Sequence, residues 1–319
     1  MKTFALLFCA TLAGLAFPHH ATAEDSGARV SFLEKDDATI EIRIGDDVLG
    51  IFNHGPTWKK PFLYPLNAAN GTNVLRGIIP TKDQEGSSKA GSDHFHHKGV
   101  WASVDSVNDE KLNFWSEGER IRNDSVETTT AANGSGILVS HNTWLQGETP
   151  LLKETTTITF YPSRLITYRI ELSAIDRDVT VFDTKEGFFA VRLAHTMRET
   201  EGGHIINADG ATGEKDAWGR QSPWVDYYGD VGGATLGVTL MDHPGNFRKS
   251  RYHVRSYGLF AISPFGPETY SRGEEAASPV TIKPDGAPLK LTYGLYVHAG
   301  DTQAGNVKEA YEKFLQVTE

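Results

Sequence analysis

One cysteine, three methionines and no long apolar run beyond residue 17 set the first limits on this 319-residue chain. The cysteine, Cys9, lies in the apolar start of the chain. Once that start is removed, no disulfide can form, and four-cysteine zinc sites and iron–sulfur clusters are excluded. No later stretch approaches the roughly 20 apolar residues of a membrane-spanning helix. Basic runs are missing as well. Lys and Arg number 31 against 41 Asp and Glu, a net charge of -10, which suits neither nucleic acid nor an anionic membrane surface. There is no repeat, no low-complexity tract and no inter-domain linker.

The start of the chain reads as a secretory signal peptide. Met1-Lys2 is its short basic head, Thr3 to Phe17 its apolar segment, and Ala21-Thr22-Ala23 a small-x-small cleavage site ahead of Glu24-Asp25. Bulky Phe8 before Cys9 speaks against a lipoprotein. Cleavage after Ala23 predicts a periplasmic or secreted protein, with residues 24–319 forming a single domain.

Most of that domain has strand character. Val30 to Leu33, Thr39 to Ile44 and Val48 to Phe52 are separated by Asp- and Gly-rich turns. Thr155 to Phe160 and Ile166 to Ile170 alternate apolar and polar residues, the period of a sheet with one wet face. Val179 to Phe182, Phe188 to Leu193, Ala234 to Leu240, Leu259 to Ile262 and Leu289 to Val297 continue the series. Near the end, Val307, Ala310, Tyr311, Phe314 and Leu315 form the stripe of an amphipathic helix. The expected fold is all-β, a large antiparallel β-sandwich with a C-terminal helix.

Chemistry concentrates in Asp93-His94-Phe95-His96-His97-Lys98-Gly99, which holds three of the twelve histidines. Imidazole titrates near neutrality and is the commonest metal ligand. In an extended segment, His94 and His96 would share one face and His97 the other. Further polar-aromatic islands interrupt the strands. They are Lys60-Pro61-Phe62-Leu63-Tyr64-Pro65-Leu66, then Phe114-Trp115, Asp183-Thr184-Lys185-Glu186-Gly187, and Trp218-Gly219-Arg220 with Trp224-Val225-Asp226-Tyr227. Asp242-His243-Pro244-Gly245-Asn246 with Arg248, and Tyr257-Gly258 with Pro264-Phe265-Gly266, complete the set.

In this order the islands resemble a bacterial family labelled "PmoA-like", exported proteins of unknown function. The resemblance covers about Lys60 to His298, and departs from the family pattern at Tyr252-His253 and at Ser263. The label suggests a methane monooxygenase subunit, which would need several membrane-spanning helices; this hydrophilic chain has none. The resemblance implies a galactose-mutarotase-like super-sandwich that handles carbohydrates.

Catalytic candidates are His94, His96, His97, Glu186 and His243. Binding candidates for a sugar or oligosaccharide are Tyr64, Arg76, Trp115, Lys185, Arg192 and Asn207, joined by Trp218, Trp224, Asn246, Arg248, His253 and Tyr257. Trp101 and Trp144 are further aromatic platforms, and arginine forks suit a carboxylated sugar. Core packing and structural ion pairs are the plain alternatives for each tryptophan and arginine. Glu186 and Asp242 are the candidate carboxylates, with Asp183 on the opposite face of a strand from Glu186. Three functions stay open: a carbohydrate lyase, epimerase or hydrolase; a Zn or Cu protein ligated by His94, His96 and His243; and a non-catalytic glycan binder. No cofactor is required by the sequence.

Overall fold

The computed structural model describes residues 27–79 and 94–319. The leader, the polar loop Gly86 to Ser92 and Asp93 lie outside the described residues. In chain order the first strands are β1 (Val30–Asp36), β2 (Thr39–Ile44), β3 (Asp47–Asn53), β4 (Phe62–Leu66), β5 (Val100–Val104) and β6 (Arg120–Thr130). Next come β7 (Gly136–Gln146), β8 (Thr149–Phe160), β9 (Leu165–Ala174), β10 (Val179–Val181), β11 (Gly187–Arg192) and β12 (His204–Asn207). The last are β13 (Trp224–Val231), β14 (Ala234–Asp242), β15 (Arg251–Val254), β16 (Leu259–Ser263), β17 (Val280–Ile282) and β18 (Leu289–Ala299). Helices are α1 (Gly213–Ala217), α2 (Pro267–Ser271) and α3 (Val307–Thr318).

Two eight-stranded sheets form, in the orders β1-β2-β3-β4-β5-β11-β16-β15 and β12-β13-β14-β18-β9-β8-β7-β6, with β10 and β17 paired separately. Neighbouring strands run antiparallel. The sandwich expected from the alternating pattern is therefore present, as is the C-terminal helix.

The alternation of β8 shows why the layers close. Ile158 and Phe160 are buried while Thr155, Thr157 and Thr159 are partly exposed. Each buried aliphatic or aromatic side chain contributes about 1.5–3 kcal/mol. One apolar cluster joins Val100, Val191 and Phe260 of the first sheet to Ile158, Val238 and Leu295 of the second. On the far side of the second sheet, Phe314 of α3 packs on Leu165 and Met241.

Trp144 belongs to this interior. It is fully buried and donates from Nε1 to Glu154 at 2.6 Å, so it is no sugar platform. Glu154 also accepts from Asn142 at 2.7 Å and Thr156 at 2.8 Å, although burial pushes its carboxyl pKa up.

Candidate functional site

The register of the first sheet aligns four residues on its outer face. Trp101 of β5 pairs with Ala190 of β11, Ala190 with Ala261 of β16, and Ala261 with His253 of β15. Their strand neighbours Val100, Val191, Phe260, Tyr252 and Val254 face the interior cluster. Two alanines in the middle of the row leave room for larger side chains from the loops above. Those side chains build the site.

At one end stands the histidine segment. It is a turn, not the extended strand expected, with the His97 amide donating to the His94 carbonyl at 3.1 Å. Arg76 clamps it by donating from Nη2 to the carbonyls of His97 at 2.7 Å and His94 at 3.0 Å. Gly99 ends the turn at φ 59°, where a Cβ would stand 2.2 Å from the Leu63 carbonyl oxygen. The turn collapses the two expected faces into one. His97 stacks on His94 with ring centres 4.6 Å apart, and His96 meets His97 edge-on at 4.4 Å. His97 also stacks on Trp101 at 5.4 Å, and Trp101 packs on Trp115 at 5.1 Å. Trp101 and Trp115 are buried supports for the histidines, with Tyr64 half-buried against the same cluster.

A cationic layer lies beneath. Lys60 and Lys98 are buried and share Glu117, at 3.4 Å and 2.6 Å. Burial, together with Lys60, His94, Lys98 and Arg76, pushes the pKa of half-buried His96 down to about 2. Burial and the neighbouring His96 and Arg192 also hold His97 well below its ordinary value. Both rings are therefore neutral imidazoles at physiological pH.

Tyr257 occupies the middle. His94 stacks on it at 5.6 Å, the Arg192 guanidinium lies over it at 4.8 Å, and that of Arg255 at 5.6 Å. Burial raises the Tyr257 pKa, so its hydroxyl stays a donor. Arg255 pairs with Glu214 at 3.0 Å.

The other end is built on Lys185. Its backbone carbonyl lies 3.0 Å from Nδ1 of His253 and accepts from the Tyr270 hydroxyl at 2.7 Å. Its ammonium pairs with the half-exposed carboxylate of Glu186. Glu186 follows Lys185 directly in the chain, close enough for its charge to bear on His253, Tyr257 and Tyr270. Trp218 closes this end, edge-on to His253 at 6.1 Å.

Fixed partners decide which ring nitrogens carry protons. A carbonyl only accepts, so Nδ1 of His253 carries hydrogen and Nε2 is bare. Burial, opposed by the Glu186 charge, pulls the His253 pKa down to about 4. Arg192 only donates, so at 3.4 Å Nδ1 of His97 accepts and its Nε2 carries hydrogen.

Several expected members lie elsewhere. His243 packs edge-on to Phe314 of α3, and its Nδ1 accepts from the Gly245 amide, on the far side of the second sheet. The trio His94, His96 and His243 therefore cannot share a metal ion. Among the described residues no group of three His, Cys, Asp or Glu side chains is placed to hold one. Trp224 joins the Phe314 cluster. Asn207 is buried and accepts from the amides of Asp209 and Ala211 as a turn former. Asn246 bridges Asp242 and Thr292, and Asp242 also accepts from Ser250, so both order a loop. Arg248 is held by Pro264 and Ser278 outside the pocket. Asp183 accepts from the amides of Glu268 and Thr269 at the start of α2.

Other members, Lys60, Lys98, Glu117 and Asp105, were not singled out as site residues by the motifs. Lys60, Lys98 and Glu117 meet only through the β4–β5 pairing and the following loop. Asp105 accepts from Thr184 at 2.5 Å, and its pKa is raised by burial and by Glu186. Its signal was readable, since Trp101, Ser103 and Asp105 recur at period two.

Residues 39–312 match a family described as "Family of unknown function (DUF6807)". The chain belongs to that family. Nothing in the description bears on the methane oxygenase label. No curated protein matches the chain. Among solved structures it is similar to the GH36 α-galactosidase AgaA of Geobacillus stearothermophilus, at 9% identity and a TM-score of 0.48 over 84% of this chain and 41% of that one. It is also similar to galactose 1-epimerase of Lactobacillus acidophilus, at 11% identity and 0.40 over 86% and 99% of the two chains. A third is heparan sulfate lyase HepC of Pedobacter heparinus, at 10% identity and 0.35 over 87% and 36%. The chain thus spans about two fifths of the α-galactosidase it matches.

Proposed function

We propose that this chain is a carbohydrate-active enzyme whose pocket on the outer face of the first sheet carries out acid–base chemistry on a sugar. The carrying observation is the meeting of the histidine turn, Tyr257 and the Lys185–Glu186 pair above imidazoles with fixed proton positions. Sugars present apolar C–H faces and hydroxyl edges. Tyr257 and Trp218 suit the former; Arg255, Lys185 and Glu186 suit the latter. His94, His96, Tyr257 and Glu186 are the half-exposed groups that can touch substrate. Buried His97 and His253 position them from below.

The balance favours epimerisation or β-elimination over hydrolysis. Hydrolysis commonly needs two free carboxylates across the scissile bond. Asp183 and Asp242 are occupied as backbone acceptors. Proton abstraction needs only a placed base and a placed acid, for which the Glu186 carboxylate and the Tyr257 hydroxyl stand ready, with neutral His96 as a hydrogen-bond partner for the sugar. A divalent metal fits less well. Burial, with the charges of Lys60, Lys98 and Arg76, keeps a proton off His96 and also opposes a cation there. Export to the periplasm or beyond, with residues 24–319 as a single folded unit, belongs to the same proposal.

The test is a screen of the full chain against neutral and oxidised mono- and oligosaccharides. His96→Ala, Glu186→Ala and Tyr257→Phe should each lower kcat/KM by about 10²–10⁴-fold. Unchanged turnover in all three would remove the site. Sugar binding without turnover would recast the chain as a glycan-binding protein.

A further inference from the structure

Beside the pocket, on the same face, lies a groove of about 270 Å³ lined by Arg248, Lys249, Arg251, Ser263, Glu275 and Ser278, among others. Arg251 and His253 stand two residues apart on β15, so their side chains share the outer face about 7 Å apart along the strand. Arg251 donates to the carbonyl of Gly219 at 2.7 Å, directly after the pocket wall Trp218. Pocket and groove are therefore adjacent, with Trp218 and Gly219 between them.

The groove reverses the charge of the molecule. The chain carries 41 acidic against 31 basic residues, yet here Arg248, Lys249 and Arg251 face the single carboxylate of Glu275, which pairs with Arg251. Arg248 is fixed by neutral acceptors only. It donates to the Pro264 carbonyl at 2.9 Å and to the carbonyl and hydroxyl of Ser278 at 3.1 and 2.7 Å. These bonds use three of its five N–H groups, and they hold a full positive charge in place without a carboxylate among the described residues. Phe247, 44% exposed, packs beneath the same guanidinium at 5.4 Å. A fixed guanidinium beside an exposed ammonium and an exposed ring is suited to an acid group on a sugar ring.

We propose that this groove is a subsite for an anionic sugar unit, so that the substrate of the neighbouring pocket is an acidic oligosaccharide. The proposal rests on the carbohydrate reading of that pocket. The experiment is calorimetric titration of the full chain with three tetrasaccharides: a polyuronate, its carboxyl-reduced neutral counterpart, and a sulfated form of the neutral one. The polyuronate should bind about tenfold more tightly than the neutral probe, with the advantage shrinking as salt rises. Arg248→Gln and Lys249→Gln should each erase most of that advantage and leave the neutral probe unchanged. Lys249 is exposed, so its variant keeps the test valid if Arg248→Gln fails to fold. Tighter binding of the sulfated probe, lost in the same variants, supports the subsite and makes sulfate its ligand. Equal affinity for charged and neutral probes, or an advantage that survives both variants, overturns it. Tyr257→Phe separates the two readings. Neutral binding that needs Tyr257 but gains nothing from charge leaves the pocket and removes the groove. Charge-dependent binding that ignores Tyr257 does the reverse.

Discussion

Nδ1 of His253 lies 3.0 Å from the backbone carbonyl of Lys185, the residue whose ammonium pairs with Glu186. That contact links a buried imidazole to the pocket's half-exposed carboxylate through one short stretch of chain. The same carbonyl accepts from Tyr270, which holds it in place against the ring.

His253 should therefore exist as the Nδ1–H tautomer, neutral down to about pH 4. Imidazole ¹⁵N shifts of the labelled protein should show a protonated Nδ1 and a bare Nε2 from pH 5 to 8, with protonation only near pH 4. Burial opposes the charged form, so the unfolded chain takes up a proton that folded His253 refuses, and stability falls as pH drops from about 6.5 to about 4. Tyr270→Phe should keep the ring buried but loosen the Lys185 carbonyl, broadening those signals. A charged His253 at pH 6 would contradict the assignment.

The two-lysine layer makes a stability prediction. Burial, opposed by Glu117, lowers the Lys60 pKa to about 8. The folded state then holds fewer protons than the unfolded chain between pH 8 and about 10.5, so unfolding free energy rises with pH in that window. Below pH 8 the full cost of burying the charge is present. Urea denaturation at pH 7 and pH 10 should show this rise in the native sequence and its loss in Lys60→Met. Glu117→Gln leaves two buried ammonium groups without a carboxylate and should cost about 3–5 kcal/mol.

Local pattern and long-range register were unequally legible in the sequence. Thr155 to Phe160 was readable as a strand, because a sheet with one buried face writes its period into every second residue. The stripe from Val307 to Leu315 was readable as a helix for the same reason at period 3.6. The histidine segment stood out by composition alone. Its shape was not legible, because the turn depends on Gly99 passing close to the Leu63 carbonyl of a neighbouring strand. Motif order along the chain also hid which face each island occupies. Tyr257 and His243 lie in successive islands, yet one stacks on His94 and the other packs against Phe314. Only the pairing of β14 with β18, and of β16 with β11, separates them.

A second titration lies beneath the loop that precedes α3. Nε2 of His298 meets Asp226 at 3.0 Å, and Nδ1 faces the Ala299 carbonyl at 3.3 Å, so both nitrogens are placed to donate. Burial pulls its pKa down, but the hydrogen bond and charge of Asp226 outweigh this and raise it above the ordinary value. The stability this provides is complete below about pH 6.5 and is lost as pH rises through the raised folded value. Thermal denaturation from pH 6 to 9 should show a falling Tm that flattens in His298→Gln. An identical slope in that variant would assign the trend to other groups.

His243 offers the sharpest check on where the site lies. In the sequence it sits beside Asp242 and ahead of Asn246 and Arg248, polar company that suits a site. In the fold it lies edge-on to Phe314 at 5.7 Å and accepts from the Gly245 amide at 3.0 Å. Burial and the Arg169 charge lower its pKa, so it is neutral at pH 7 and makes no ion pair to lose. His243→Ala removes one aromatic contact and one turn hydrogen bond, each worth about 1 kcal/mol. Tm should drop by a few degrees, while sugar binding and turnover stay as in the native chain. His96→Ala should give the opposite pattern, with function lost and Tm nearly kept. If His243→Ala removes function while His96→Ala does not, the reacting centre lies under α3 on the second sheet.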